Sequence, residues 1–262
     1  MIKLFEDFNE YNQIEKWLYE MGITNYTIND DLTVDVDGNV DITDMNLAHI
    51  PIQFGKISGY FICGGNIIAS LKGCPNYVGN DFNCSHNELI TLESGPNYVG
   101  GNFYCYDNEL TSLKGCPDYI GGGFRCNNNK LTSLKGCPEE VNGIFSCYDN
   151  NLTSLKYGPK SVSDTYDCTD NILTSLEGCP KIIYSDFLCF DNKITSLKGA
   201  PEYIGGNINI NNNSLPKPIL DLYNIPLLLK HQVEYGIWNN DGSFNEERFN
   251  IFLNDYNSDL LD

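Results

Sequence analysis

Eleven cysteines are the residues of greatest chemical potential in this 262-residue chain, and they fall into two columns. Cys63, Cys84, Cys105, Cys126, Cys147, Cys168 and Cys189 recur at intervals of 21 residues. Cys74, Cys116, Cys137 and Cys179 form the second column, whose other places hold Gly95, Gly158 and Ala200. A position that takes Cys, Gly or Ala asks for a small side chain, so both columns read as small buried hydrophobes. Ladder disulfides between repeats are the alternative, and a reducing compartment disfavours them. No Cys-x-x-Cys pair of the kind that holds zinc occurs. No motif joins His49, His86 or His231 to a nucleophile. Stretches such as Tyr148-Asp149-Asn150-Asn151 lack the spaced ligands of a calcium loop. Gly-Gly pairs recur throughout instead of standing between one strand and one helix, which argues against a phosphate-binding loop. The expectation is a non-enzymatic protein with no catalytic residue, no metal and no cofactor.

The remaining chemistry is recognition. Three columns flank and separate the recurring Phe and Cys. They hold Asp81, Asn102, Gly123, Ile144, Thr165, Asp186 and Asn207; then Asn83, Tyr104, Arg125, Ser146, Asp167, Leu188 and Asn209; then Ser85, Tyr106, Asn127, Tyr148, Thr169, Phe190 and Asn211. The apolar columns beside them barely change, whereas these vary freely. Tyr104, Tyr106, Arg125, Ile144, Tyr148, Leu188 and Phe190 are therefore the candidate partner-binding residues, because aromatic and Arg side chains dominate interface hot spots. Drift at unconstrained solvent positions is the competing explanation.

The element that must position them is a 21-residue repeat. Asparagines at 66, 87, 108, 129, 150, 171, 192 and 213 keep that spacing without insertion or deletion. Each is followed by an aliphatic two residues on (Leu110, for one) and, in every copy but the last, by a leucine three later (Leu113) and a proline four later (Pro117). Then come Val or Ile, an aromatic, and Cys two beyond it, as in Val99, Phe103 and Cys105. In Phe-x-Cys both side chains point to one face of a short strand. Successive strands are expected to stack in parallel at roughly 4.8 Å, each burying its apolar face against its neighbours. The asparagines are expected to bond the backbone of the turn that leaves each strand. A degenerate earlier copy runs through Leu47, Ile50, Ile57, Phe61 and Cys63.

Asn108-Glu109-Leu110-Thr111-Ser112-Leu113 resembles the Asn-x-Leu-Thr-x-Leu segment of bacterial leucine-rich-repeat proteins, including the secreted ubiquitin-ligase effectors. The Leu-Thr-Ser-Leu-Lys-Gly-Cys-Pro string, Gly-Gly-x-Phe-x-Cys and the stretch Tyr26-Thr27-Ile28-Asn29-Asp30-Asp31 resemble uncharacterised leucine-rich-repeat proteins of large tailed bacteriophages over roughly residues 20–215. The resemblance implies a leucine-rich-repeat solenoid and brings no activity with it. The effectors carry their catalytic cysteine in a large separate C-terminal domain, and no cysteine here follows Cys189. The effector unit is typically one residue shorter. The extra residue falls between Val99 and Phe103, at Gly100-Gly101-Asn102, where glycine suits a bulge or tight corner.

Three segments are expected: a cap over 1–44, the repeats over 45–216 and a C-terminal helical cap over 217–262. Leu4, Phe5, Phe8, Tyr11, Ile14, Trp17, Leu18 and Met21 keep helical spacing up to Gly22, which predicts a capping helix over 3–22. Alternation in 32–36 and 39–43 around Asp37-Gly38 predicts a β-hairpin that starts the sheet. Ile219 to Tyr235 reads as a helix interrupted at Pro226, and Ser243 to Asp255 as a second helix with Ser243 as its N-cap.

The formal charge is −19, from 35 acids and 16 bases. Residues 1–44 carry 11 acids and 2 bases, and 217–262 carry 8 acids and 3 bases. Such a balance argues against binding nucleic acid or an anionic membrane surface. The start shows no signal peptide, no stretch is long enough for a membrane span, and the cysteines read as reduced thiols, so a cytoplasmic protein is expected. The leading expectation is a protein–protein interaction module that uses the concave face, with a host (defence) protein as partner if a phage encodes it. The alternative is an acidic decoy that imitates nucleic acid through its charged ends.

Overall fold

The computed structural model describes residues 2–258, with side chains from residue 10 onwards. Leu4, Phe5 and Phe8 of the expected helix face have side chains outside the described residues. The fold is a repeat solenoid of short parallel strands with a helix-plus-hairpin cap before it and a helical region after it.

Each 21-residue unit makes two strands where one was expected. Tyr98–Val99 forms one and Phe103–Tyr104 the other, with the Gly100-Gly101-Asn102 corner between them. The Phe-x-Cys strands join into a nine-stranded front sheet running from Val40–Asp41 to Ile208–Asn209. The Tyr-Val strands form a side sheet in two parts. Six strands run from Tyr26–Ile28 to Tyr119–Ile120, and four from Glu140–Val141 to Tyr203–Ile204. Neighbouring repeats pair in parallel at a shift of one repeat, as in Phe82↔Phe103↔Phe124. The corners touch: a Cβ on Gly100 would stand 2.1 Å from the carbonyl oxygen of Gly79, so only glycine permits that approach.

The inward columns build one continuous core. Phe82, Phe103, Phe124, Phe145, Tyr166 and Phe187 are fully buried, as are Leu110, Leu113 and their equivalents from Ile68 to Leu197. Successive rings of this column lie 5.0–6.0 Å apart between centroids. All eleven cysteines are free thiols. Burial pushes Cys126 up to about 12, so this thiol stays protonated and unreactive at neutral pH.

The asparagine column works as expected, and the geometry says why no other residue replaces it. Asn108 donates through Nδ2 to the carbonyl oxygens of Cys84 (3.0 Å), Cys105 (3.2 Å) and Tyr106 (3.2 Å). Its Oδ1 accepts from the Leu89 amide at 3.0 Å. One amide thus ties two repeats together at the point where the front strand ends and its carbonyls lose their ladder partners. The residue before each asparagine has a left-handed backbone (φ 49–53° from His86 to Asp191), a conformation that short polar residues tolerate best.

The hairpin around Asp37-Gly38 does not form. Tyr26–Ile28 (β1) pairs antiparallel with Val34–Val36 (β2), so the hairpin turns through residues 29–33. Asp37-Gly38 is instead the corner of the first coil. Val36 aligns with Ile57, Val40 with Phe61, and the Ile42 amide bonds Ile62 one coil on. The alternation that suggests a hairpin is a strand–corner–strand unit whose 21-residue relation to Ile57, Phe61 and Cys63 is masked by Val and Ile in place of Phe and Cys.

The first helix, α1 (Ile2–Glu20), lays Ile14 and Leu18 on the end of the core, and Trp17 meets Phe54 edge-on at 6.2 Å. At the other end are α2 (Lys217–Leu220), α3 (Ile225–His231) and α4 (Glu246–Asn257). Pro226 opens α3 and does not interrupt it. Proline lacks only an amide that the first turn leaves unbonded, and Asn224 caps that turn by accepting from the Leu227 amide. The N-cap of α4 is Asn245, which accepts from the Arg248 amide, whereas Ser243 bonds Asp241 in the preceding turn. No helix among the described residues is long and apolar enough to cross a membrane.

Candidate recognition face

The front sheet sets side chains outward between Phe and Cys and again after Cys. Strand register places Asn83, Tyr104, Arg125, Ser146, Asp167, Leu188 and Asn209 in one row. The 21-residue spacing places Ser85, Tyr106, Asn127, Tyr148, Thr169 and Phe190 in the next.

The candidate residues do gather on this face, but not as an exposed aromatic patch. Arg125 is exposed, whereas Tyr104, Tyr106, Ile144, Tyr148, Leu188 and Phe190 are each half-buried. Large and small residues alternate along the second row, and the small ones, Asn127 (4% exposed) and Thr169 (4%), are buried on a face expected to meet solvent. Each small residue thus sits buried between the places of two larger, half-buried side chains of the neighbouring coils.

The middle of the face is a connected cluster. Tyr104 and Tyr106 meet edge-on at 6.3 Å, and the Arg125 guanidinium lies 5.8 Å from the Tyr104 ring centroid. His86 joins Tyr106 edge-on at 5.3 Å and approaches Asp107 at 3.4 Å. The Tyr148 hydroxyl is pushed above its ordinary value, first by partial burial and then by the charges of Asp107 and Asp167. Tyr104 is raised likewise, by burial and then by Asp81, with Arg125 opposing. Leu188 and Phe190 lie two repeats beyond Tyr148 and extend the apolar part of the face away from the arginine.

His86 and Asp107 adjoin this cluster and Asp167 acts on it by charge; the sequence places Asp167 in a varied column without making it a candidate binder, and gives His86 and Asp107 no place on the face. Asp107 sits in the left-handed column, which reads as turn-forming in the sequence. Only the folded structure brings its charge near enough to act on Tyr148.

The side sheet carries a second aromatic group. Tyr77, Tyr98 and Tyr119 stack face to face at 4.7 and 4.9 Å, with planes within 12°, and Lys56 lies 4.9 Å from the outer ring centroid. Their chain signature, Asn-Tyr-Val or Asp-Tyr-Ile before each Gly, was visible in the repeat. A cleft of about 990 Å³ opens between the last repeats and the turn 239–244, lined by Thr174, Thr195, Lys198, Ser214, Asn240 and Phe244. Lys198 Nζ donates to the Asn240 carbonyl across it at 2.9 Å. Among the described residues, no group of three His, Cys, Asp or Glu side chains is arranged to hold a metal ion. No protein-family model matches the chain, and no curated protein matches it.

Proposed function

We propose that this protein is a non-enzymatic, cytoplasmic protein-binding module and that its front face meets the partner. The observation that carries the reading is the cluster of Tyr104, Tyr106, Arg125 and Tyr148. These residues break the repeat's regularity within three consecutive coils, while the framework around them repeats almost unchanged. Half-buried aromatics held by their neighbours lose little side-chain freedom on binding, which favours affinity. The sequence resemblance to leucine-rich-repeat proteins of tailed phages makes a host protein, and a defence protein in particular, the partner class to seek.

The test is capture from host lysate by the wild type and by a Tyr104→Ala/Tyr106→Ala/Tyr148→Ala variant. The reading expects a defined partner that the wild type retains and the folded variant loses. Undiminished capture by the variant overturns it.

A further inference from the structure

We propose that two copies of this chain join through the free edge of the front sheet, pairing residues 207–211 antiparallel about a two-fold axis at Asn209. The inference stands apart from the reading above and adds a second interaction surface.

The first argument is the backbone. In a parallel sheet, alternate residues turn both N–H and C=O towards the same neighbouring strand. The Phe187 and Cys189 amides donate to the carbonyl oxygens of Asn207 and Asn209 one coil on. Ile208 and Ile210 hold the same places in the last coil, and Ile208–Asn209 is the terminal strand of the sheet. Their N–H and C=O groups therefore face outwards, with no strand beyond them among the described residues. The Ile210 carbonyl accepts from Asn213 Nδ2 at 2.9 Å and keeps its second lone pair for a further donor. The helical cap covers other parts of this end. α3 packs on Tyr203–Ile204 of the side sheet, and the turn 239–244 stands beside Thr195 and Ser214. Ile208 is half-buried, where the rings of its column from Phe82 to Phe187 are fully buried.

The second argument is charge. Free strand edges are ordinarily guarded against pairing by charged side chains. The opposite edge of the front sheet follows that rule, since Val40–Asp41 carries Asp41 and Asp44 follows it. Residues 205–214 hold no charged side chain, in a chain of formal charge −19. One edge is guarded and the other is open, so pairing closes at two copies and does not run on into a filament.

The third argument is symmetry. Asn207-Ile208-Asn209-Ile210-Asn211 reads the same in both directions. The copies from Phe82 to Cys189 do not, because each sets an aromatic against a cysteine. In an antiparallel pair, opposed residues alternate between exchanging both backbone bonds and exchanging none. An axis at Asn209 sets Ile208 opposite Ile210 of the second copy, and Ile210 opposite Ile208, so every outward group named above meets its complement. Asn209 then faces Asn209 at the non-bonded place between them. The isoleucines of both copies lie on the inward side and extend the two cores into each other. The axis stands perpendicular to the sheet, so both front faces look the same way, with the two Tyr104 residues roughly 50 Å apart.

The test uses the residue on the axis. Asn209 shares its row with Arg125 and Asp167, so the fold accepts either charge there. Asn209→Lys and Asn209→Glu each set like charges face to face. Sedimentation velocity of the full chain at rising concentration should show a monomer–dimer equilibrium in the wild type, strengthened by salt that screens the acidic charge. Each variant alone should dimerise about fivefold more weakly, and an equal mixture of the two should recover a heterodimer at least as tight as the wild-type pair. Net charge alone predicts otherwise, because lysine lowers the acidity and glutamate raises it. The Tyr104→Ala/Tyr106→Ala/Tyr148→Ala variant should dimerise as the wild type does, which keeps this test separate from partner capture. A wild type that stays monomeric overturns the inference. So does a dimer indifferent to both substitutions at Asn209, and so do two weakened variants that fail to recover on mixing.

Discussion

The two sheets carry tyrosines in opposite ways. On the side sheet, Tyr77, Tyr98 and Tyr119 occupy one column and lie parallel at 4.7 and 4.9 Å. On the front sheet, Tyr104, Tyr106 and Tyr148 are scattered over two columns, and the closest pair meets edge-on with planes 79° apart. A parallel solenoid brings identical residues of successive repeats into contact, so a repeated tyrosine becomes its own partner. A tyrosine that appears in one repeat and not the next has no such partner and meets unlike neighbours instead, as Tyr104 meets Arg125 and Tyr106 meets His86. Exposure alone therefore misleads: Tyr119 and Tyr203 are about half exposed, yet they belong to the sheet where aromatics recur by column, and the half-buried front tyrosines are the ones without a repeat partner.

Five substitutions break or sharpen this contrast. The largest effect is expected at the brace that both sheets depend on. Asn108→Ala removes three donated bonds and one accepted bond from a buried site, and should lower stability by roughly 3 kcal/mol in urea unfolding. A loss under about 1 kcal/mol would mean that the turns hold without the column.

Next comes the direct comparison of sheets. Tyr98→Ala ends two stacked contacts and should cost about 1–2 kcal/mol, whereas Tyr104→Ala should cost less than about 1 kcal/mol. Reversal of that order, read from the same denaturation curves, would place the front tyrosines in the framework.

The turns outside both sheets give a baseline. Tyr157 holds φ +68° in a column where Gly115, Gly136 and Gly178 hold +87° to +97°, and its side chain is 68% exposed. Tyr157→Gly should raise stability by about 1 kcal/mol, visible as a higher thermal midpoint, since a left-handed backbone penalises any Cβ. An unchanged midpoint would show that the ring makes compensating contacts.

The smallest effect concerns charge on the front face. Asp170 titrates above its ordinary value when folded, so the folded state holds this proton more tightly than the unfolded chain. Its charged form opposes folding at neutral pH, and that penalty disappears as pH falls through the raised folded value. Asp170→Asn should accordingly stabilise the protein by about 0.3 kcal/mol at neutral pH, a small figure because the group is exposed. The gain should vanish in mildly acidic buffer. A gain that persists at acid pH would point to the backbone, not the charge.

Residue order by itself determined the 21-residue period, the inward columns and the asparagine brace. These follow from local chemistry repeated so often that each copy supports the others, and Asn66 through Asn213 make the pattern readable without any partner in view. The varied front columns and six of the seven candidate side chains as half-buried members were beyond that reading in one respect. Whether Asn127 and Thr169 are exposed depends on how neighbours one coil away lean, and that is not written in either residue. The second strand of each unit is not legible along the chain because it buries a single residue, Val99 in one copy, whereas Phe-x-Cys shows two inward residues in alternation. The first coil reads as a hairpin in the sequence because an alternating strand–corner–strand unit looks the same along the chain whether its strands pair with each other or with the next coil. Only the tertiary structure chose the latter, because the closed core offers Val36, Val40 and Ile42 a continuous apolar surface to continue, and a free hairpin offers none.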